Sequence, residues 1–168
     1  MTTITADWDQ RCAALWAAFE DCDAAEFRSR MTKLADELPE GHAVAAFELA
    51  SAYDATDLGE QAVPLYRQAL EGGLDGDRRR QAVIQLASTL RTLGHPQAGA
   101  DMLLAERAKT SDHLDDAVTA FLALSLVDLG REREAAALAL GALSRHLPCY
   151  NTSLARYAAA AADPAPDD

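Results

Sequence analysis

The chain of 168 residues is poor in basic residues and in the residue types that favour β-strands. Lys and Arg together number 15 against 27 Asp and Glu, which gives a formal charge of −12. Nucleic acids and anionic membranes attract clusters of Lys and Arg, so we expect neither as a partner. Aromatic residues make up only 6% of the chain, whereas the helix-favouring residues Ala and Leu are abundant. The composition predicts an all-α protein.

The sequence also lacks the signals of export and of membrane insertion. Residues 1–7 contain neither the basic segment nor the apolar run of a secretory signal. No stretch approaches the roughly 18 uncharged apolar residues of a membrane span. Cys12, Cys22 and Cys149 are an odd number of cysteines without a disulfide-framework spacing, which indicates reduced thiols. We therefore expect a soluble, acidic, cytoplasmic protein.

No residue pattern predicts catalysis, a cofactor or a metal. The glycine cluster at 72–76 follows a helical segment and precedes no Lys-Ser or Lys-Thr pair, so we interpret it as a helix end rather than a phosphate loop. His146 and Cys149 lie on either side of Pro148 and do not share a helical face, while a zinc site needs about four ligands. The run Arg78–Arg80 either binds an acidic group or is a solvated helical turn. We predict that the protein is not an enzyme.

Turn signals divide the chain into segments with apolar positions at helical spacing. We predict one domain over residues 1–162. Its helix pairs are expected near 5–37, 41–71, 76–109 and 112–146, followed by a capping helix near 149–161 and a disordered acidic tail at 163–168. Pro64 is expected in the first turn of a helix that begins at residue 60 or 61, where its missing N–H has little effect.

The predicted helices repeat a common pattern of large and small residues. A Leu is followed four residues later by a large apolar residue, in the pairs Leu15/Phe19, Leu49/Tyr53, Leu86/Leu90 and Leu122/Leu126. Small residues follow the last three Leu (Ala50, Ala87 and Ala123) and recur in the next predicted helix (Ala62, Gly99 and Ala135). Small residues let two antiparallel helices pack closely, and one such pair cannot bury its apolar face alone. The pattern therefore predicts stacked helix hairpins.

At these positions the sequence resembles the tetratricopeptide-repeat (TPR) family, in a divergent bacterial branch. The resemblance covers residues 43–148, and the segment 43–70 matches best. One departure from the family pattern is Gly59, which lies two residues later than the usual Gly. The resemblance implies an α-solenoid of antiparallel helix hairpins in a right-handed superhelix, with the helix near 149–161 as its cap.

The resemblance also implies that the first helix of each hairpin lines a concave groove. Carried over residue by residue, the groove residues are Phe47, Glu48, Ser51, Asp54, Ile84, Gln85, Ser88, Arg91, Thr92, Phe121, Leu124 and Asp128. This mixture of apolar, amide, hydroxyl and charged side chains suits a peptide or helix of a partner protein. The alternative is that Phe47 and Phe121 belong to the core or lie under the capping helix. Arg91 is expected between Glu48 or Asp54 of the preceding hairpin and Asp128 of the following one, either as a bridge between hairpins or as a contact for the partner.

These observations predict a non-catalytic protein-binding module or scaffold whose partner is a protein or peptide. Two other functions stay open. One is a self-associating structural protein, in which an exposed apolar stripe forms a homodimer contact. The other, less favoured, is an enzyme or a metal-dependent sensor.

Overall fold

The computed structural model describes residues 4–109 and 111–162, and all the regular secondary structure among these residues is helical. The α-helices are α1 (Ala6–Ala17), α2 (Ala24–Ala35), α3 (Ala43–Asp54), α4 (Gly59–Glu71), α5 (Gly76–Thr92), α6 (Pro96–Arg107), α7 (Asp115–Asp128), α8 (Glu132–Ser144) and α9 (Asn151–Ala162). A short 3-10 helix, Phe19–Asp21, follows α1. The predicted all-α class is confirmed, and the predicted tail at 163–168 lies outside the described residues.

The first three α-helices begin with a side chain that accepts a hydrogen bond from the first turn. Thr5 accepts from the Trp8 N–H at 3.2 Å, and Asp23 accepts from the Ala25 N–H at 2.9 Å. His42 Nδ1 accepts from the Val44 N–H at 3.3 Å. These caps satisfy backbone donors that have no partner inside the helix, and they fix where α1, α2 and α3 start.

Helices α3, α5 and α7 all end in the same turn. Asp57, Gly94 and Gly130 follow these helices at positive φ angles of 61°, 86° and 72°. In each turn the N–H of the next residue donates to a carbonyl five residues back: Leu58 to Tyr53 at 2.9 Å, His95 to Leu90 at 2.8 Å and Arg131 to Leu126 at 2.8 Å. This is the left-handed helix end that usually requires glycine. The three hairpins therefore repeat at the level of backbone conformation, and Asp57 occupies the place of the usual Gly.

Pro64 lies deeper in its helix than the sequence led us to expect. Helix α4 begins at Gly59, so Pro64 is in the second turn and the expectation of a first-turn position was wrong. The Glu60 carbonyl loses the N–H donor that residue 64 would otherwise supply. Both residues are exposed, which lets water satisfy that carbonyl, and the helix continues to Glu71.

The chain forms two compact units, residues 1–82 and residues 83–168, and the division falls within α5. In the first unit, one apolar cluster is built from α1, α2 and α3 and contains Trp8, Cys12, Leu15, Phe27, Met31, Leu34 and Ala52. Phe27 packs edge-on against two neighbouring rings, with ring centroids 5.0 Å from Trp16 and 4.8 Å from Phe19. Aromatic side chains therefore supply much of the core of residues 1–82.

The core of residues 83–168 is aliphatic. It contains Ile84, Ala87, Ala100, Leu103, Val118, Leu122, Ala123, Leu126 and Ala135. Gly99 on α6 lies so close to α5 that a Cβ atom there would stand 2.6 Å from the Ala87 carbonyl oxygen. This contact confirms the predicted role of a small residue at the point where two helices of a hairpin approach each other.

Candidate functional site

The predicted groove residues on α3 are largely in the interior of residues 1–82. Phe47 and Ser51 are buried, and Asp54 is half-buried. The Phe47 ring lies 6.4 Å from the Tyr66 ring, and the Tyr66 hydroxyl donates to Asp54 Oδ2 at 3.2 Å. Burial, together with the nearby Asp54 carboxylate, raises the pKa of Tyr66. These side chains join α3 to α4.

Glu48, the fourth predicted groove residue on α3, is the centre of a buried polar network. Its side chain is only 6% exposed, yet both of its oxygens have a donor. Trp16 Nε1 donates to Glu48 Oε2 at 2.8 Å, and Arg78 Nε donates to Glu48 Oε1 at 3.0 Å. Arg78 also donates to Asp9 at 2.8 Å, so that the network connects α1, α3 and the start of α5. A buried carboxylate with two donors is a structural element of this unit.

Cys12 lies beside this network and is buried. Burial, with a smaller contribution from the negative charge of Glu48, raises the pKa of the Cys12 thiol to about 12. Because the thiolate is the reactive form, Cys12 is inert at neutral pH. Cys149, in contrast, is exposed.

The predicted groove residues on α5 and α7 include several that solvent can reach. Ile84 is buried in the core, and Gln85, Ser88, Arg91 and Phe121 are half-buried. Thr92, Leu124 and Asp128 are exposed. Arg91 Nη1 donates to Asp128 Oδ2 at 2.8 Å, which joins the end of α5 to the end of α7. Asp128 is thus one of the carboxylate neighbours that the position of Arg91 in the repeat predicted.

Helix α7 presents two large apolar side chains to solvent next to this ion pair. Leu124 is 46% exposed and Val127 is 47% exposed, and their spacing of three residues places them on one side of the helix. We call Leu124, Val127 and the adjoining pair of Arg91 and Asp128 the α7 face. Val127 was missed from sequence because the family register gave only Leu124 and Asp128 at this end of the helix. The three-residue spacing from Leu124 was the signal that could have found it.

Several polar residues outside the α7 face serve to end or join helices. The Leu114 N–H donates to Asp112 Oδ1 at 2.7 Å just before α7, and Asp116 pairs with Arg145 and with His146, whose Nε2 lies 2.7 Å away. Gly73 has a φ of 82°, and the following Leu74 N–H donates back to α4, as a left-handed helix end requires.

Residues 4–109 and 111–162 contain neither a metal-binding cluster nor a membrane-spanning helix. No set of three or more His, Cys, Asp or Glu side chains converges in a way that could hold a metal ion. In the same part of the chain, none of the helices combines the length and the apolar character needed to cross a membrane.

Helix hairpins that repeat the same turn conformation and the same spacing of large and small residues define a helical-repeat protein. A family model described as a tetratrico peptide repeat matches residues 43–161, from the start of α3 into α9. The chain belongs to the tetratricopeptide-repeat family, and the predicted fold class of stacked helix hairpins is confirmed. Such repeats generally mediate protein–protein interactions, and the family is typically non-enzymatic. Comparisons with curated proteins and with solved structures gave no significant match.

Proposed function

We propose that this protein is a non-catalytic interaction module that binds a segment of a partner protein on the α7 face. The observation that carries the proposal is the exposure of Leu124 and Val127 on one side of a helix, each close to half accessible. Isolated exposed apolar residues are ordinary on protein surfaces, but adjacent ones beside a polar pair are typical of interaction sites. The proposal needs no catalytic group.

The composition of the α7 face defines the kind of segment that it would bind. Leu124 and Val127 offer apolar contact area, and the partner would cover them with apolar side chains. Arg91 and Asp128 neutralise each other at 2.8 Å, so the face carries little net charge. An amphipathic helix or an extended segment with two apolar side chains fits these requirements.

The remaining predicted groove residues have a supporting role in this proposal. Phe47, Glu48, Ser51 and Ile84 are buried, and a partner could not reach their side chains without local rearrangement. Ser88 and Thr92 are at least partly accessible on α5 and supply hydroxyl groups at the edge of the α7 face. The formal charge of −12 favours a protein over a nucleic acid as the ligand. The free thiols of Cys12, Cys22 and Cys149 favour action in the reducing cytoplasm.

The proposal is tested by placing a charge on the α7 face. The wild-type protein and the Leu124→Glu and Val127→Glu variants are used as bait in lysate of the source cell, and the retained proteins are quantified by mass spectrometry. A partner retained by the wild type is then purified and titrated calorimetrically. We expect each variant to weaken its binding roughly tenfold or more, because loss of a central apolar contact costs over 1 kcal/mol.

Leu104→Glu is the matched control. Leu104 is 41% exposed but lies on α6, which contributes nothing to the α7 face. This variant introduces the same charge into the same unit and should retain the partner fully. Equal retention of the partner by all three variants would rule out the α7 face as the binding site.

Self-association is a second candidate function, and the exposure of the last helix favours it. Tyr150 and Tyr157 are 77% and 62% exposed, and α9 contains no acidic residue although the chain has 27. The charged residue of α9 is Arg156, whose guanidinium lies 5.1 Å from the centroid of the Tyr157 ring. An aromatic surface without negative charge is where two copies of an acidic chain would meet with least repulsion. Light scattering over a range of protein concentrations tests this, and a monomer mass at all concentrations would exclude it.

A further inference from the structure

A second surface feature is formed by side chains within residues 1–82, none of which belongs to the α7 face. A cleft with a volume of about 520 Å³ lies between the end of α2, the turn that follows it, α3 and α4. We call it the α2–α4 cleft. Its apolar lining includes Leu38 from the turn, Leu49 from α3 and Leu65 from α4, all of them half-buried. The cleft therefore offers contact area to an aliphatic side chain.

The polar lining of the α2–α4 cleft consists of two carboxylates together with His42 and Gln68. Asp36 and Glu40 both line the cleft and are exposed, and no Lys or Arg is among its lining residues. Within the described part of the chain, neither carboxylate has a salt-bridge partner. The surrounding unit has the same sign of charge, since residues 1–82 contain 16 acidic and 8 basic side chains. A cation that enters the cleft would meet two unneutralised carboxylates in a negative field.

The turn that carries these carboxylates is held in place by several contacts. The His42 N–H donates to the Pro39 carbonyl at 3.0 Å, which closes a tight turn around Glu40 and Gly41. Gly41 has a φ of 74°, a conformation that glycine adopts without strain. His42 then caps α3 through its imidazole. Glu40 is thereby presented from a defined backbone, so that less conformational entropy is lost on binding.

We propose that the α2–α4 cleft binds a basic, leucine-rich peptide segment of a partner protein. Charge complementarity determines this occupant: an aliphatic side chain covers Leu38, Leu49 and Leu65, and a neighbouring Lys or Arg pairs with Asp36 and Glu40. Long basic side chains suit such a site because their methylene stems pack on apolar surface while the charged end stays at the rim. This site is independent of the α7 face and stands whether or not that face binds a partner.

The test uses two synthetic peptides of equal apolar content and opposite charge. Acetyl-Leu-Arg-Leu-Arg-Leu-amide and acetyl-Leu-Glu-Leu-Glu-Leu-amide are titrated into ¹⁵N-labelled full-length protein, and backbone amide shifts are followed by NMR. We expect the basic peptide to cause saturable shifts at Ala45, Ala46 and Leu49, and the acidic peptide to cause none. Absence of saturable shifts with the basic peptide, or equal shifts with both peptides, would overturn the proposal.

Two double variants separate a local contact from the effect of net charge. Asp36→Asn with Glu40→Gln removes the two carboxylates of the cleft and should weaken binding of the basic peptide roughly two- to tenfold, as expected for two exposed ion pairs. Glu20→Gln with Glu26→Gln removes the same amount of charge from exposed positions that do not line the cleft. This control should change the affinity much less. Equal weakening by both double variants would mean that the peptide responds only to net charge, which would also overturn the proposal.

Discussion

The two compact units share one repeat geometry but differ in where they place charge and apolar surface. Residues 1–82 contain 16 acidic and 8 basic side chains, a formal charge of −8, whereas residues 83–168 contain 11 acidic and 7 basic, a formal charge of −4. Among the described residues, the exposed large hydrophobic side chains all lie in the second unit, from Leu93 to Tyr157. In the part of the chain that the structure describes, the first unit keeps its large apolar side chains at least half-buried and carries the higher charge, and the second leaves several large apolar side chains exposed.

The cause of this difference lies in the neighbours of each helix rather than in the repeat itself. Turns at Asp57, Gly94 and Gly130 give the backbone the same course. In the first unit, however, Trp16 of α1 and Arg78 of α5 both reach Glu48 of α3 and enclose it. Leu124 on α7 occupies the repeat position that buried Ser51 occupies on α3, yet it is 46% exposed. A shared repeat therefore determines backbone conformation, and the added contacts determine which side chains can meet a partner.

The largest expected effect comes from breaking the buried ion pair of the first unit. Arg78→Met leaves the buried Glu48 carboxylate without its cationic partner, and we expect a loss of about 2–4 kcal/mol in the free energy of unfolding. The matched variant is Arg91→Met in the second unit. The carboxylate that it leaves behind, Asp128, is 39% exposed against 6% for Glu48, so the loss should be about 0–1 kcal/mol. Urea unfolding measures both. Equal losses would contradict the difference in burial that distinguishes the units.

The next largest effect is expected at the closest helix contact of the second unit. Gly99→Ala would place a Cβ atom 2.6 Å from the Ala87 carbonyl oxygen, and the required shift of α6 should cost about 1–3 kcal/mol. Gly141→Ala on α8 is the control, because its Cβ would meet nothing within 4 Å. That substitution should stabilise the protein by up to about 1 kcal/mol through helix propensity. Thermal unfolding of the two variants should therefore move in opposite directions.

A smaller effect should follow from the buried thiol of the first unit. The pKa of Cys12 is about 12 in the folded protein and roughly 8.5 in an unfolded chain. As the pH rises above the unfolded value, the unfolded state loses the proton first, so the free energy of unfolding falls by up to about 1.4 kcal/mol per pH unit. Cys12→Ala should reduce this slope between pH 9 and 11 relative to the wild type. An unchanged slope would mean that Cys12 ionises equally readily in the folded and the unfolded state.

The smallest effect concerns the one repeat turn that lacks glycine. Asp57→Gly removes a non-glycine residue from the left-handed conformation and should stabilise the protein by up to about 1 kcal/mol. The reverse exchange in the second unit, Gly94→Asp, should destabilise it by a similar amount. A decrease in stability on Asp57→Gly, measured by urea unfolding, would show that the Asp57 side chain makes a compensating contact.

The sequence predicted the helical class and the repeat because both depend on residue pattern. Leu49, Leu86 and Leu122, each followed by Ala, mark the same position in three hairpins, and spacing alone is enough to find them. The turn between α3 and α4 was expected from Gly59, but the left-handed conformation of Asp57 was missed because only a glycine is recognisable in sequence as a left-handed residue. The predicted position of Pro64 within its helix was wrong because the start of α4 depends on a backbone turn that no residue type marks.

Residues of the candidate site could be predicted from sequence only where the position of a residue in the repeat determines whether its side chain is exposed. Arg91, Leu124 and Asp128 were identified in this way, and the structure places them on accessible parts of α5 and α7. The burial of Glu48 depends on Trp16, 32 residues away in the sequence, and on Arg78, 30 residues away. Contacts over such separations need the three-dimensional arrangement and cannot be read from one helix.

The claim that the second unit carries the recognition surface can be tested directly by photo-cross-linking in the source cell. A benzophenone amino acid is introduced at Leu124 on the α7 face and, in a separate strain, at Leu104 on α6, which is similarly exposed. The account predicts a discrete cross-linked protein from position 124 and none from position 104. Equal adducts from both positions, or no adduct from position 124, would contradict it.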